Sequence, residues 1–259
     1  MLRQVISDLR KHKDLMIHLT MSDFKTNTSR TYLGFFWWLI DPILYMGIFY
    51  LLVQVILQRG GPDYSIYLFT GLIPLKWATA CFVDSTNAIA TNARIIQQVY
   101  VPKIVFIVVR LLINTIKFLV SSVMLFLFLW LFGVSLNIQM LNFIPVVLVN
   151  GVFLLSVMII LAHIGVFIRD VKNMMQYVSR TLLYLSPVLF KIEAVPANLV
   201  PILYLNPFTT ILNSYRNVLL YGKGPEWIHL GILLLISFVV FALGIRVIMK
   251  NEKEYAKVI

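Results

Sequence analysis

Cysteine, histidine and acidic side chains are all scarce in this 259-residue chain. The single cysteine, Cys81, excludes an internal disulfide and a cysteine-based metal cluster, and reads as a small apolar packing residue. His12, His18, His163 and His229 are scattered, with no HExxH pair and no Ser-His-Asp set, so neither a metal centre nor a catalytic triad can be built from them. No GxxxxGK[ST] phosphate loop occurs; the nearest run, Gly222-Lys223-Gly224, is followed by Pro225. The chain therefore does not bind ATP through such a loop. Glycines never recur at four-residue spacing, which leaves no GxxxG helix-pairing face. Only 13% of the residues are charged against 60% hydrophobic, too little charge to coat an ordinary soluble core.

Long apolar runs are what the chain has in quantity. They fall at 33–57, 65–84, 104–132, 141–168, 174–190 and 227–249, and most reach the ~20 residues that cross a ~30 Å hydrocarbon layer. The expected fold is an all-α integral membrane protein with six transmembrane helices in one membrane domain, 1–259. The third and fourth runs are long enough to tilt, and the fifth crosses only if Arg180 sits inside the protein. Residues 1–32 are rich in charge and lack the apolar core of a cleavable signal peptide.

The net charge of +11 could suggest nucleic acid, but the basic residues sort by side of the membrane. Arg3, Arg10, Lys11, Lys13, Lys25, Arg30, Arg94, Lys103, Arg169, Lys172, Arg246, Lys250, Lys253 and Lys257 fall on one side. Arg59, Lys191, Arg216 and Lys223 fall on the other. The positive-inside rule then puts both termini in the cytoplasm, as an even number of spans requires. The Asn27 glycosylation sequon would lie on that side too, out of use. Within residues 1–32, Leu2, Val5, Ile6 and Leu9, continued by Met16 and Leu19, form an apolar stripe opposite basic residues. This predicts a helix on the inner membrane surface, a solvated basic tail being the alternative.

Two segments break the pattern of spans and turns. Ser186 to Glu226 holds Pro187, Pro196, Pro201, Pro207 and Pro225, so no helix runs through it uninterrupted. Within it, PFTTILNSYRNVLLYG from Pro207 offers about 15 helical residues or ~22 Å, too short to cross. Phe208, Ile211, Leu212, Tyr215 and Leu219 make one apolar stripe, with Asn213, Arg216 and Asn217 opposite. A re-entrant helix within 191–226 fits, and would mark an external gate at Pro207, Phe208, Tyr215 and Arg216; a helix lying flat on the outer surface fits equally. The second segment is NARIIQQVYVPKI, from Asn92. With the residues before it, Ile89, Ala93, Ile96 and Tyr100 share one side of a helix, and Asn87, Thr91, Arg94 and Gln98 another. Pro102 disfavours helix at Val101, so an amphipathic helix over 88–101 ends before the third span. It could be gripped by a soluble partner or lie on lipid.

In the order and spacing of its motifs the chain resembles the permease subunits of ABC exporters of lipid-linked polysaccharide, the O-antigen, capsule and teichoic-acid family. NARIIQQVYVPKI resembles that family's coupling helix, TYLGFFWWLIDPIL from Thr31 the beginning of span one, and YLFTGLIPLKW from Tyr67 a stretch of span two. FIRDVKN from Phe167 resembles the loop after span four, SPVLF from Ser186 the end of span five, and NPFTTILNSYRNVLLYG from Asn206 the external re-entrant region. Lys76 stands where many relatives have an aromatic residue, and Gln97-Gln98 where a basic pair is common.

The resemblance implies a homodimer paired with two copies of a separate ATP-binding subunit, which binds the ATP and magnesium, in the cytoplasmic membrane of a bacterium. It implies that Asn92, Arg94, Ile95 and Gln98, with Arg169 and Asp170, meet that subunit. The cargo would be a lipid-linked glycan. Sugar faces stack on aromatic rings, which points to Trp38, Tyr45 and Phe49 on one face of span one with Asp41 beside them, and to Trp77. Lys76, Asp84, Arg110, Lys117 and Arg180 are charges within spans, where each costs roughly 3 kcal/mol or more. Lys76 and Arg110 are expected on the path, their charge suiting the pyrophosphate of a lipid carrier. A small-molecule ABC exporter is the alternative cargo class. An intramembrane transferase would need a clustered acid/base set, which is missing, and a proton-coupled carrier or channel would have to work with Asp41 and Asp84 alone.

Overall fold

The computed structural model describes residues 2–29, 32–58, 60–61, 63–135 and 137–258. Arg30 and Arg59, counted above on the two sides of the membrane, and Thr31, at the head of the first motif, lie outside them. Every regular element among the described residues is a helix. The basic N-terminal stretch forms α1 (Leu2–Lys11) and α2 (Lys13–Ser29), which bend at His12. Val5 is buried, and Leu9, Leu15, Met16 and Leu19 pack on the core, so the stretch is docked rather than a solvated tail.

α3 (Trp37–Tyr50) is preceded by a 3₁₀ turn and continues as a π-helical segment, Leu51–Ile56. α4 (Tyr64–Thr86) follows, then the short α5 (Ala93–Gln98), α6 (Ile104–Leu131) and α7 (Phe143–Phe167). α8 (Val171–Leu185), α9 (Val200–Leu203), α10 (Pro207–Leu219), α11 (Trp227–Lys250) and α12 (Glu252–Val258) complete the chain. Among the described residues five helical stretches are long and apolar enough to span a bilayer: Gly34–Ile56, Tyr64–Thr86, Ile104–Leu131, Ile138–Phe167 and Trp227–Lys250. α8 covers the fifth expected run but has 15 residues, ~22 Å, because the backbone turns extended at Ser186 ahead of Pro187.

α4 is the axis of the bundle. Its apolar window is 78% buried, against 11% for Gly34–Ile56, and α3, α6, α7, α8 and α10 all pack on it. Glycine sets two of the closest approaches: a Cβ on Gly165 of α7 would land on the Thr86 carbonyl ending α4, and one on Gly244 of α11 would strike the Ile159 side chain. Pro42 within α3 has no N–H to offer the Trp38 carbonyl, and the Ser121 hydroxyl of α6 donates to that oxygen instead, at 3.1 Å. The proline thus fastens α3 to α6 across the cavity described next.

Candidate functional site

A cavity of about 320 Å³ lies between α3, α4 and α6. Three helices furnish it by their own periodicity. Trp38 and Asp41 are three residues apart on α3, Lys76 and Trp77 face in from α4, and Asn114, Lys117 and Ser121 form a polar stripe on α6. Lys76 forms an ion pair with Asp41, and its Nζ lies 3.6 Å above the Tyr45 ring. Trp77 stacks on Phe118 with ring centroids 4.3 Å apart, and its buried Nε1 has no hydrogen-bond partner among the described residues.

A second recess, lined by Asp23, Gly34, Asp84 and Arg110, shares Trp37, Trp38 and Lys117 with the first. Arg110 Nη1 is 2.6 Å from Asp23 Oδ2 on α2, and Asn114 Nδ2 donates to Asp84 Oδ2 at 2.9 Å. Both basic residues expected to meet an anionic group therefore already face a carboxylate. Lys117 makes no hydrogen bond or ion pair with a described residue and sits 5.8 Å from the Trp38 ring centroid. The joined recesses carry Lys76, Arg110 and Lys117 against Asp23, Asp41 and Asp84, so positive and negative charges balance. Balanced charge with indole faces suits a polyhydroxylated, largely neutral ligand better than a multiply charged anion. On the other side of α3, Tyr45 and Lys76 meet Ser179 and Arg180 of α8 in a smaller recess of about 130 Å³. Phe49 lies outside all three recesses, in the core. The α6 stripe of Asn114, Lys117 and Ser121 was visible as polar residues at three- and four-residue spacing in an apolar run.

The proline-broken segment builds a different structure. Asn206 caps α10, its Oδ1 accepting from Phe208 N at 3.0 Å, with Pro207 at the first helical position. Phe208 packs on Phe82 of α4 and Phe153 of α7, while Tyr215, seven residues on, packs on Phe143. α10 therefore runs along α4 and α7 rather than flat across their ends, and it is buried on nearly every side. Arg216, expected on the polar face, is 1% exposed. Its guanidinium lies 3.5 Å from the Tyr67 ring centroid and donates to the carbonyls of Pro187 at 2.5 Å and Tyr67 at 3.2 Å. The Tyr67 hydroxyl donates in turn to the Phe190 carbonyl at 2.8 Å. Sequence pattern misses this because a planar donor fork can satisfy backbone carbonyls that no residue code displays.

At the other end of the bundle, helix extends only over Ala93–Gln98, after a 3₁₀ turn at Ala90–Asn92, and Val99 is already extended. Ile96 is buried, Ile95 and Asn92 are half-buried, and Asn92 Nδ2 donates to the Ala88 carbonyl at 2.8 Å. Arg94 and Gln98 are exposed, as are Arg169 and Asp170 in the turn between α7 and α8. Tyr100, expected on the buried side with Ile89 and Ile96, is 70% exposed because the helix ends two residues before it.

Comparison with known proteins gives relatives that run the length of the chain. It is 23% identical over 247 residues to the O-antigen export system permease protein RfbA of Klebsiella pneumoniae, covering 95% of each. It is 23% identical over 256 residues to the RfbA of Myxococcus xanthus, covering 98% of each. It is 22% identical over 240 residues to the polysialic acid transport protein KpsM of Escherichia coli, covering 91% of this chain and 92% of that one. No family model matches the chain.

Proposed function

We propose that this chain is the membrane-spanning permease subunit of an ABC exporter of cell-surface polysaccharide. The observation that carries the reading is its end-to-end similarity to permeases named for O-antigen export and polysialic acid transport, at near-equal length. The chain is a multi-pass membrane protein, and energy comes from a separate ATP-binding subunit that holds the ATP and magnesium. In the arrangement we infer, two copies of this chain pair with two such subunits, both termini are cytoplasmic, and the cargo is a lipid-linked glycan. The thinly covered first span and the exposed side of α8 flank α4, which supports a path between two copies.

Residues supporting each step are separate in space. Arg94, Gln98, Arg169 and Asp170 form an exposed polar footing for the ATP-binding subunit, with Asn92 and Ile95 holding α5 in place. Trp38, Asp41, Lys76 and Trp77 line the cavity between α3, α4 and α6, with Tyr45 in the adjoining recess, and offer rings and hydrogen-bonding groups to sugars. Arg110 acts one step removed, holding α6 to α2 through Asp23. Tyr215 and Arg216 close the opposite end, with Pro207 and Phe208 seated deeper against α4 and α7, and opening would require the Arg216 carbonyl contacts to part.

The test is to purify a tagged chain from its own host in mild detergent and measure ATP hydrolysis by what accompanies it, beside Arg94→Glu. An ATPase that accompanies the intact chain, with at least tenfold less recovered hydrolysis for the variant, is the expected result. An intact chain with no accompanying ATPase would sink the exporter reading and turn attention to ion or proton flux.

A further inference from the structure

The short helix α12 belongs to none of the roles above, yet it is fastened on two sides. Asn251 ends α11, its Nδ2 donating to the Val247 carbonyl at 2.8 Å, and the chain turns back against the bundle. Tyr255 is then fully buried. Its hydroxyl and His163 Nδ1 share a hydrogen bond of 2.7 Å, and its ring centroid lies 5.9 Å from that of Phe167, the last residue of α7. Arg169 and Asp170 follow two and three residues later. On the other side, Glu252 Oε2 accepts from the Tyr100 hydroxyl at 3.2 Å, just past α5, and α12 packs on α5 itself.

A partly exposed six-residue helix and a three-residue turn have little rigidity of their own, since isolated helices this short are unstable in water. α5 and the end of α7, from which that turn departs, nonetheless pack on the same small helix. We infer that α12 is a brace that joins α5 and the α7–α8 turn into one rigid footing for the ATP-binding subunit, with Tyr255 and Glu252 as its positioning residues. The brace itself rests on contacts within this chain; only its partner rests on the exporter reading. A load on α5 is thereby passed through Glu252 and Tyr255 to α7 and α11, as well as along the chain into α6.

The experiment has an arm on the chain alone and an arm on the complex. In detergent, Tyr255→Ala is expected to speed amide hydrogen exchange at least tenfold at both 93–100 and 167–172, while Tyr255→Phe, which keeps the ring, stays within threefold of the unaltered chain. Unchanged exchange in either segment of Tyr255→Ala overturns the brace, whatever the ATPase does. In the complex, Cys81 is fully buried, so cysteines placed at Tyr100 and Glu252 can be joined selectively by a short bis-maleimide. A joined complex that hydrolyses ATP within twofold of the unjoined one shows the two helices moving as one body. Arrest on joining overturns the inference. If no ATPase accompanies the unaltered chain, the exporter reading fails, and the exchange data alone decide whether the brace stands.

Discussion

Arg216 and Lys76 are both cations far inside the bundle, and they are held in opposite ways. Arg216 is 1% exposed; its terminal nitrogens donate to the backbone carbonyls of Pro187 and Tyr67 and its guanidinium lies on the face of the Tyr67 ring, while its buried Nε has no partner among the described residues. Lys76 has a side chain 26% exposed and faces Asp41, whose side chain is 51% exposed on the most thinly covered span. Backbone carbonyls in the packed bundle cannot swing away, whereas a half-exposed carboxylate lining a cavity can exchange partners. The first arrangement suits a lock, the second a path whose polar groups must rebind as cargo moves. The difference also shows in space for side chains: Gly71 leaves room for the guanidinium, and a Cβ there would come 2.5 Å from Arg216 Nη2.

The sharpest way to break this contrast is Arg216→Met, which removes the guanidinium donors from the Pro187, Val188 and Tyr67 carbonyls. The expected loss is about 2–3 kcal/mol, read from unfolding in detergent, since the charge-assisted hydrogen bonds are lost and the Val188 and Pro187 carbonyls keep weaker partners or none. Gly71→Ala should reproduce about 1–3 kcal/mol of it through overpacking alone. A near-neutral Arg216→Met would remove the lock. For Lys76, a double-mutant cycle of Lys76→Ala with Asp41→Asn is expected to give a coupling of only about 0.5–1 kcal/mol if the cavity is water-filled, as for other exposed ion pairs. A coupling above about 3 kcal/mol would make the two cations alike. Lys117→Gln should change stability by less than about 1 kcal/mol, because its described contact is the face of the Trp38 ring and it makes no described hydrogen bond or ion pair. If the cavity is on the export path, the same substitution should lower surface glycan about tenfold; a normal level with the variant would take the cavity off the path.

How far the sequence could be read varies with the range of the interactions. The start of α10 at Pro207 was legible, because Asn206-Pro207 is a local cap followed by a fixed φ. The end of the fifth run was misjudged: Leu189 and Phe190 extend its apolar composition, but Ser186-Pro187 halts the helix first. The stretch around α5 kept its buried Ile89 and Ile96 yet lost Tyr100 when the backbone turned extended at Val99. Trp38, Asp41, Lys76 and Trp77, singled out in the sequence as rings and charges within spans, line one cavity, whereas Arg110 is drawn to a neighbouring helix by Asp23. Nothing in the sequence marked Tyr255 as buried, since its helix is short and mostly polar.

By itself the sequence determined that this is a helical membrane protein without a nucleotide loop, broken by proline between Ser186 and Glu226, because apolar run length and proline geometry act through a few consecutive residues. Tertiary structure alone decided that Lys76 meets Asp41 at a separation of 35 residues and Arg110 meets Asp23 at 87. It decided too that Arg216 is inside and that α12 folds back onto α7 and α5. Each of these depends on which helix faces come together, and in a membrane, where apolar sides are all alike to the lipid, that choice falls to small residues, proline-freed carbonyls and a few polar contacts.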